Sequence, residues 1–201
     1  MAASFDFDQV DFVTSDHHFG HARIIELAER PFSSLAAMNG ELIAAWNRVV
    51  GPGDTVLHLG DLALGDRAES IPLTAALNGW KLLVPGNHDT ISSVYRCSAA
   101  HKQQTRDLLD QCGWTVLPEI IAGERGGRRI RASHFPYRGD SQTVERHVEA
   151  RPIDDGLPLL HGHTHDRGSG PHGRMFHVGV DGNGFAPVPM TTIDAWLASL
   201  S

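Results

Sequence analysis

Five times along this chain an apolar, strand-like run stops at a residue able to bind a metal ion. The runs are "VDFVTSDHHFGH", "TVLHLGD", "WKLLVPGNHD", "RRIRASHF" and "LPLLHGHTH". Val, Ile, Leu and aromatic residues bounded by Gly, Asn and Asp read as β-strands. Parallel strands bring their carboxyl ends to one edge of a sheet, where binding crevices form. A fold that makes these strands neighbours therefore gathers Asp16, His18, Asp61, Asn87, His88, Asp89, His134, His163 and His165 along one rim. In a strand, residues i and i+2 point the same way, which predicts Asp16 beside His18 and His163 beside His165.

Helices are expected between the runs. Ser33 or Ser34 can cap a helix that places Leu35, Met38, Leu42, Trp46 and Val49 on one face. Further helical segments are expected over 67–77, over 100–112 and in "TTIDAWLASL". "WTVLPEIIA" and "RRIRASHF" read as strands around the turn "GERGG". The stretch 138–157 is polar and aperiodic, a loop with at most one helical turn. Trp46, Trp80, Trp114 and Trp196 fall in apolar segments and are expected in the core. A chain of 201 residues with 41% hydrophobic residues suits one core, a single domain over 1–201.

The net charge of −7 argues against stable binding of long nucleic acid, which needs a basic face. It leaves room for a small phosphate substrate whose charge is met locally. No basic, then apolar, leader opens the sequence and no apolar run reaches the length of a membrane span, so the cytoplasm is expected. Cys97 and Cys112 are expected to be reduced thiols.

The donor types are carboxylate, imidazole and amide oxygen, which suit Mn, Fe, Zn, Co or Ni; no thiolate cluster points to a structural zinc. Seven such donors are too many for one tetrahedral ion. They suit two ions roughly 3.5–4 Å apart that share a carboxylate.

The ordered blocks D-x-H, GD, GNHD, H and GHTH, over residues 16–165, resemble the calcineurin-like metallophosphoesterases. The stretch "SDHHFGHARIIELAERPF" with "WNRVVGPGDTVLHLGD" is similar to a small single-domain branch found in bacteria and their phages. The resemblance implies an α/β (α+β) fold, a four-layer αββα sandwich of two packed mixed β-sheets flanked by helices, with a dinuclear site at the strand C-terminal rim. It implies that Asp16, His18 and His165 hold one ion, that Asn87, His134 and His163 hold the other, and that Asp61 bridges them. His88 matches the proton donor to the leaving oxygen, with a metal-bridging hydroxide as in-line nucleophile. Asp89 is expected to orient His88, and His17 and His21, beside the site, to contact substrate phosphate.

The implied activity is a metal-dependent phosphodiesterase acting on small phosphodiesters, 2′,3′- or 3′,5′-cyclic nucleotides among them, with Mn foremost among the metals. The alternatives are a phosphomonoesterase, a dinucleoside-polyphosphate pyrophosphatase and a non-catalytic scaffold. The other histidines carry blander expectations: His58 structural, His161 beside the donors, and His101, His147 and His172 solvated. Arg128, Arg129 and Arg131 suggest a solvated strand that discourages edge pairing, with a nucleic-acid edge as the alternative. Asp181 and Asn183 are expected in a hairpin turn.

Overall fold

The computed structural model describes residues 4–165 and 170–200. In chain order, β1 (Phe5–Asp6) and β2 (Phe12–Thr14) are followed by α1 (Ile24–Leu27) and α2 (Leu35–Val49). Next come β3 (Thr55–His58), α3 (Arg67–Leu73), β4 (Trp80–Leu83), α4 (Ala99–Gln111) and β5 (Trp114–Val116). The hairpin β6 (Ile120–Arg125) and β7 (Arg128–Ser133) leads to β8 (Leu159–His161). The chain closes with β9 (Gly170–His172), β10 (Met175–His177), β11 (Val188–Pro189) and α5 (Met190–Ser199).

These strands form two mixed sheets flanked by helices, as the resemblance implied. One sheet runs β11-β2-β3-β4-β5, with only β11 antiparallel to its neighbour. The other runs β1-β6-β7-β8-β10-β9. The period of two in the strands sets both cores. Val13 and Leu57 pack with Ile130, Ala132, Leu160 and Phe176 of the facing sheet, joined by Ile193 and Trp196 of α5. Val56, next to Leu57, and Leu83, next to Leu82 of β4, turn to the other face and pack with Met38, Leu42 and Trp46 of α2 and Leu109 of α4.

Helix α2 forms where its cap and period place it. The Ser34 hydroxyl accepts a hydrogen bond from the Ala37 N–H at 3.1 Å. Met38, Leu42 and Trp46 are fully buried, each contributing about 1.5–3 kcal/mol of burial. Val49, expected on the same face, is 40% exposed because it lies in the last turn. Trp46, Trp114 and Trp196 are core residues, and each indole N–H donates to an oxygen, of Asn78, Thr74 and Gly173 respectively. Trp80 is not core: it is the first residue of β4 and is 70% exposed.

Two strand readings change. "WTVLPEIIA" is two strands in different sheets, β5 pairing with β4 and β6 with β7. Pro118 lies between them and has no N–H to continue a ladder, so the chain crosses sheets there. The β6–β7 turn is the pair Gly126-Gly127, both with positive φ, as a tight hairpin turn requires. The basic strand β7 is interior, between β6 and β8, so neither edge reading holds. Arg131 forms an ion pair with Asp155 at 2.8 Å and donates to Tyr137 Oη. Residues 138–157 do hold a single 3-10 turn, Val148–Ala150. Among the described residues no helix is long and apolar enough to cross a membrane.

Candidate metal centre

β2, β3 and β4 are parallel, as are β7 and β8, so the donors after each strand meet at one rim. They do not meet by strand alternation. The strands stop first, and Asp16, His18, Asp61, His163 and His165 all take left-handed backbone conformations, with φ between 50° and 72°. Non-Gly residues seldom adopt that region, and such residues cluster at functional sites. The kinks are held by backbone bonds between loops: Asp16 N–H to Gly60 O at 3.0 Å and His18 N–H to Asp61 O at 3.0 Å. Two glycines permit the approach. A Cβ on Gly86 would lie 2.4 Å from Asp61 Oδ1, and one on Gly162 would lie 2.4 Å from Ser15 Oγ and 2.5 Å from Asp16 Oδ2.

The donors form two groups. In the first, His18 Nε2 lies 3.1 Å from His165 Nε2, and His165 Nε2 lies 3.9 Å from Asp16 Oδ1. In the second, His134 Nε2 lies 3.0 Å from Asn87 Oδ1 and 3.2 Å from His163 Nδ1. Asp61 Oδ2 stands between the groups, 3.6 Å from His18 Nε2 and 3.5 Å from His134 Nε2. Its other oxygen accepts from the His88 N–H at 2.9 Å. Asp16 ties the two sheets together, accepting from Ser15 Oγ at 2.6 Å and from the His163 N–H at 3.1 Å.

The residues present fit a cation better than they fit one another. His134 donates its Nδ1–H to Leu59 O at 2.8 Å, which leaves Nε2 a lone pair. His163 turns Nε2 toward Asp140 Oδ2, 3.3 Å away, so Nδ1 is the nitrogen that faces His134. Nitrogen and oxygen donors of His134, His163, Asn87 and Asp61 thus converge on one place, an arrangement that a positive ion stabilises. His165 is set the same way: Nδ1–H donates to Asp181 Oδ2 at 2.8 Å and Nε2 faces the first group.

Burial dominates the electrostatics. It holds His18 well below the ordinary 6.5, helped by His165 alongside, and brings His163 down to about 3 with His134 as second cause. Burial also raises Asp61. Burial opposes ionisation of Asp16 too, but the imidazoles of His165, His134 and His177 outweigh it and lower that carboxyl. His165 is raised: burial works against its charge, and the Asp181 hydrogen bond with the Asp16 and Asp181 charges prevails.

His88 stands half-buried at the rim, its ring 5.4 Å from that of His18. Asp89 does not hold that ring. Its oxygens accept from the N–H groups of Asp61 at 2.8 Å, Leu62 at 3.1 Å and Gly86 at 2.8 Å, so it clamps the loops after β3 and β4 together. His17 is not at the mouth either. It is fully buried, its ring 5.5 Å from Phe19 and 5.4 Å from Trp46, with Nδ1 2.9 Å from His58 Nε2. The next donor outward, His21, is part-exposed and lies 5.4 Å from His18 and 6.5 Å from His88, ring to ring.

His58 is buried, as expected, and His161 stays off the donor groups, its Nδ1 2.9 Å from Gly162 O. His101 and His172 are exposed, but His147 is half-buried, its ring 5.5 Å from that of Phe135. Three residues of the centre were not expected there: Arg30 and Asp140 carried no signal, and Asp181 was read only as part of a turn. Arg30 is buried and donates to Asp16 O at 2.6 Å, His17 O at 2.8 Å and Asp181 Oδ1 at 2.7 Å. Asp181 sits in the 3-10 turn Val180–Gly182, not a hairpin, and joins Arg30 to His165. Asp140, from the polar loop, faces His163.

A family model for calcineurin-like phosphoesterases matches residues 12–184. The Gene 66 protein of Mycobacterium phage L5 is 35% identical over 184 residues, covering 84% of each chain. The Gene 66 protein of Mycobacterium phage D29 is 35% identical over 174 residues, covering 84% of this chain and 86% of its own. A solved structure of a protein of unknown function, AQ665 from Aquifex aeolicus, superposes with TM-score 0.66 at 24% identity, over 92% of this chain and 97% of that one, and supports the fold.

Proposed function

The chain belongs to the calcineurin-like phosphoesterases, metal-dependent hydrolases of phosphate esters, and from that premise we propose that it cleaves small phosphodiesters, 2′,3′- or 3′,5′-cyclic nucleotides among them. The observation that carries the reading is a half-buried His88 at the lip of two convergent donor groups. In this reading Asp16, His18 and His165 would hold one divalent transition-metal ion, Asn87, His134 and His163 a second, and Asp61 both; Mn is the foremost candidate. When bound, such ions activate water for attack and neutralise phosphate charge in the transition state.

The protein's own residues do the rest. His88 holds a proton for the leaving oxygen. Burial, then the neighbouring His134, lowers it to about 4, so the ring is neutral at pH 7 without substrate. An anionic phosphodiester alongside favours the imidazolium, which places the proton where the leaving alkoxide needs it. His21, its ring 6.5 Å from that of His88, would meet a phosphate oxygen. Asp89 fixes the loops that carry Asp61 and His88 in mutual register.

With Mn²⁺ the purified protein is expected to hydrolyse bis(p-nitrophenyl) phosphate and cyclic nucleotides faster than p-nitrophenyl phosphate, and to stop on adding EDTA. Absence of hydrolysis with every divalent transition metal overturns the proposal, and a preference for the monoester overturns its diester part.

A further inference from the structure

The two histidines after β8 each face a carboxylate, Asp181 hydrogen-bonded to His165 and Asp140 in charge contact with His163, but the carboxylates differ in what holds them. Asp181 is locked to Arg30, and Arg30 to the backbone of Asp16 and His17, all within the buried body of the centre. Asp140 stands instead on the long connection between β7 and β8. Its side chain is fully buried, with Oδ2 3.3 Å from His163 Nε2. Its other partners come from its own segment: the Arg146 N–H at 2.8 Å, the Arg146 guanidinium at 2.9 Å and Arg151 at 3.6 Å. Glu145 closes the knot, accepting from the Gly139 N–H at 2.8 Å and pairing with Arg151 at 3.2 Å. The carboxylate therefore reaches His163 only while residues 139–151 keep this arrangement.

We infer that Asp140 is a positioning residue for the donor group of Asn87, His134 and His163, and that it couples retention of the ion bound there to the folding of segment 139–151. The inference rests on the two-ion reading above. With an ion at Nδ1 the imidazole proton sits on Nε2, and a carboxylate 3.3 Å from that nitrogen is placed to accept it, which fixes the ring and raises its basicity. Coupling of this kind is reciprocal, so an ion at His163 Nδ1 stabilises the knot as much as the knot stabilises the ion. The other group has no such dependence, because Asp181 and Arg30 lie outside the segment.

Calorimetric titration of the full chain with Mn²⁺ tests this. Asp140→Asn, which keeps the size of the side chain, is expected to weaken one Mn²⁺ site about 10–100-fold and to leave the other within about two-fold. Arg146→Ala, which removes a contact to Asp140 and none to His163, is expected to weaken the same site. Asp181→Asn is expected to weaken the other. Amide exchange in 139–151 is expected to slow on adding Mn²⁺ to the unaltered protein and not to Asp140→Asn. Two sites that stay unchanged in both Asp140→Asn and Arg146→Ala, or that weaken equally, overturn the coupling while leaving the metal reading intact. An unaltered protein that binds no divalent transition metal overturns both.

Discussion

At the scale of single residues, the centre separates side chains that look alike in sequence. His161, His163 and His165 alternate along one stretch, yet the ring nitrogens of only the last two enter donor groups. His163→Ala and His165→Ala are each expected to abolish hydrolysis and lower bound metal, whereas His161→Ala keeps its metal, read by elemental analysis beside the assay. His88→Ala is expected to lower kcat by about 10²–10⁴-fold with metal content unchanged, the signature of a lost proton donor. Residue type made the donors legible, because Asp, Asn and His carry the carboxylate, amide and imidazole lone pairs that suit a divalent cation. It did not reveal Asp140, Asp181 or Arg30, since a carboxylate that orients a ligand differs from any surface carboxylate only by where the fold puts it. His17 shows the converse: beside His18 in sequence, it points into the core toward His58 and Trp46.

At the scale of elements, capped and periodic segments were legible and the junctions between sheets were not. Ser34, Met38, Leu42 and Trp46 announce α2 because cap and period agree. Ser34→Ala is expected to cost about 0.5–2 kcal/mol in urea unfolding with kcat unchanged, since the Ser34 hydroxyl serves the Ala37 N–H of the helix cap. The split of 114–125 between two sheets had only Pro118 to mark it, and apolar alternation is the same in either sheet. Likewise, a strand pattern predicts Asp16 next to His18, while the structure gets there by ending the strand and kinking the backbone. Gly162→Ala is expected to push Ser15 and Asp16 out of place, weakening Mn²⁺ binding at least about tenfold in titration while the helices keep their circular dichroism. Wild-type affinity in that variant would show that the loop tolerates a Cβ there.

At the scale of the whole molecule, the rim is an acid-sensitive part of the fold. Burial pushes His58 and His161 down to about 3, against 6.5 for the free side chain. The unfolded chain therefore binds protons below pH 6.5 that the folded chain refuses until about pH 3, and stability falls as pH drops through that window. EDTA-treated protein is expected to show a lower urea midpoint at pH 5 than at pH 7; an equal or higher midpoint contradicts it. The arrangement of the donors over the two sheets has a consequence of its own. Asp16, His18, Asp61 and Asn87 follow strands of one sheet, and His134, His163 and His165 follow strands of the other. Each proposed ion would thus be gripped from both sides, and neither layer alone offers a full set of donors. In that reading, parting of the layers and escape of an ion would be one event. The rate at which bound metal exchanges with a labelled pool then serves as a clock for how often the sandwich breathes open along its active rim.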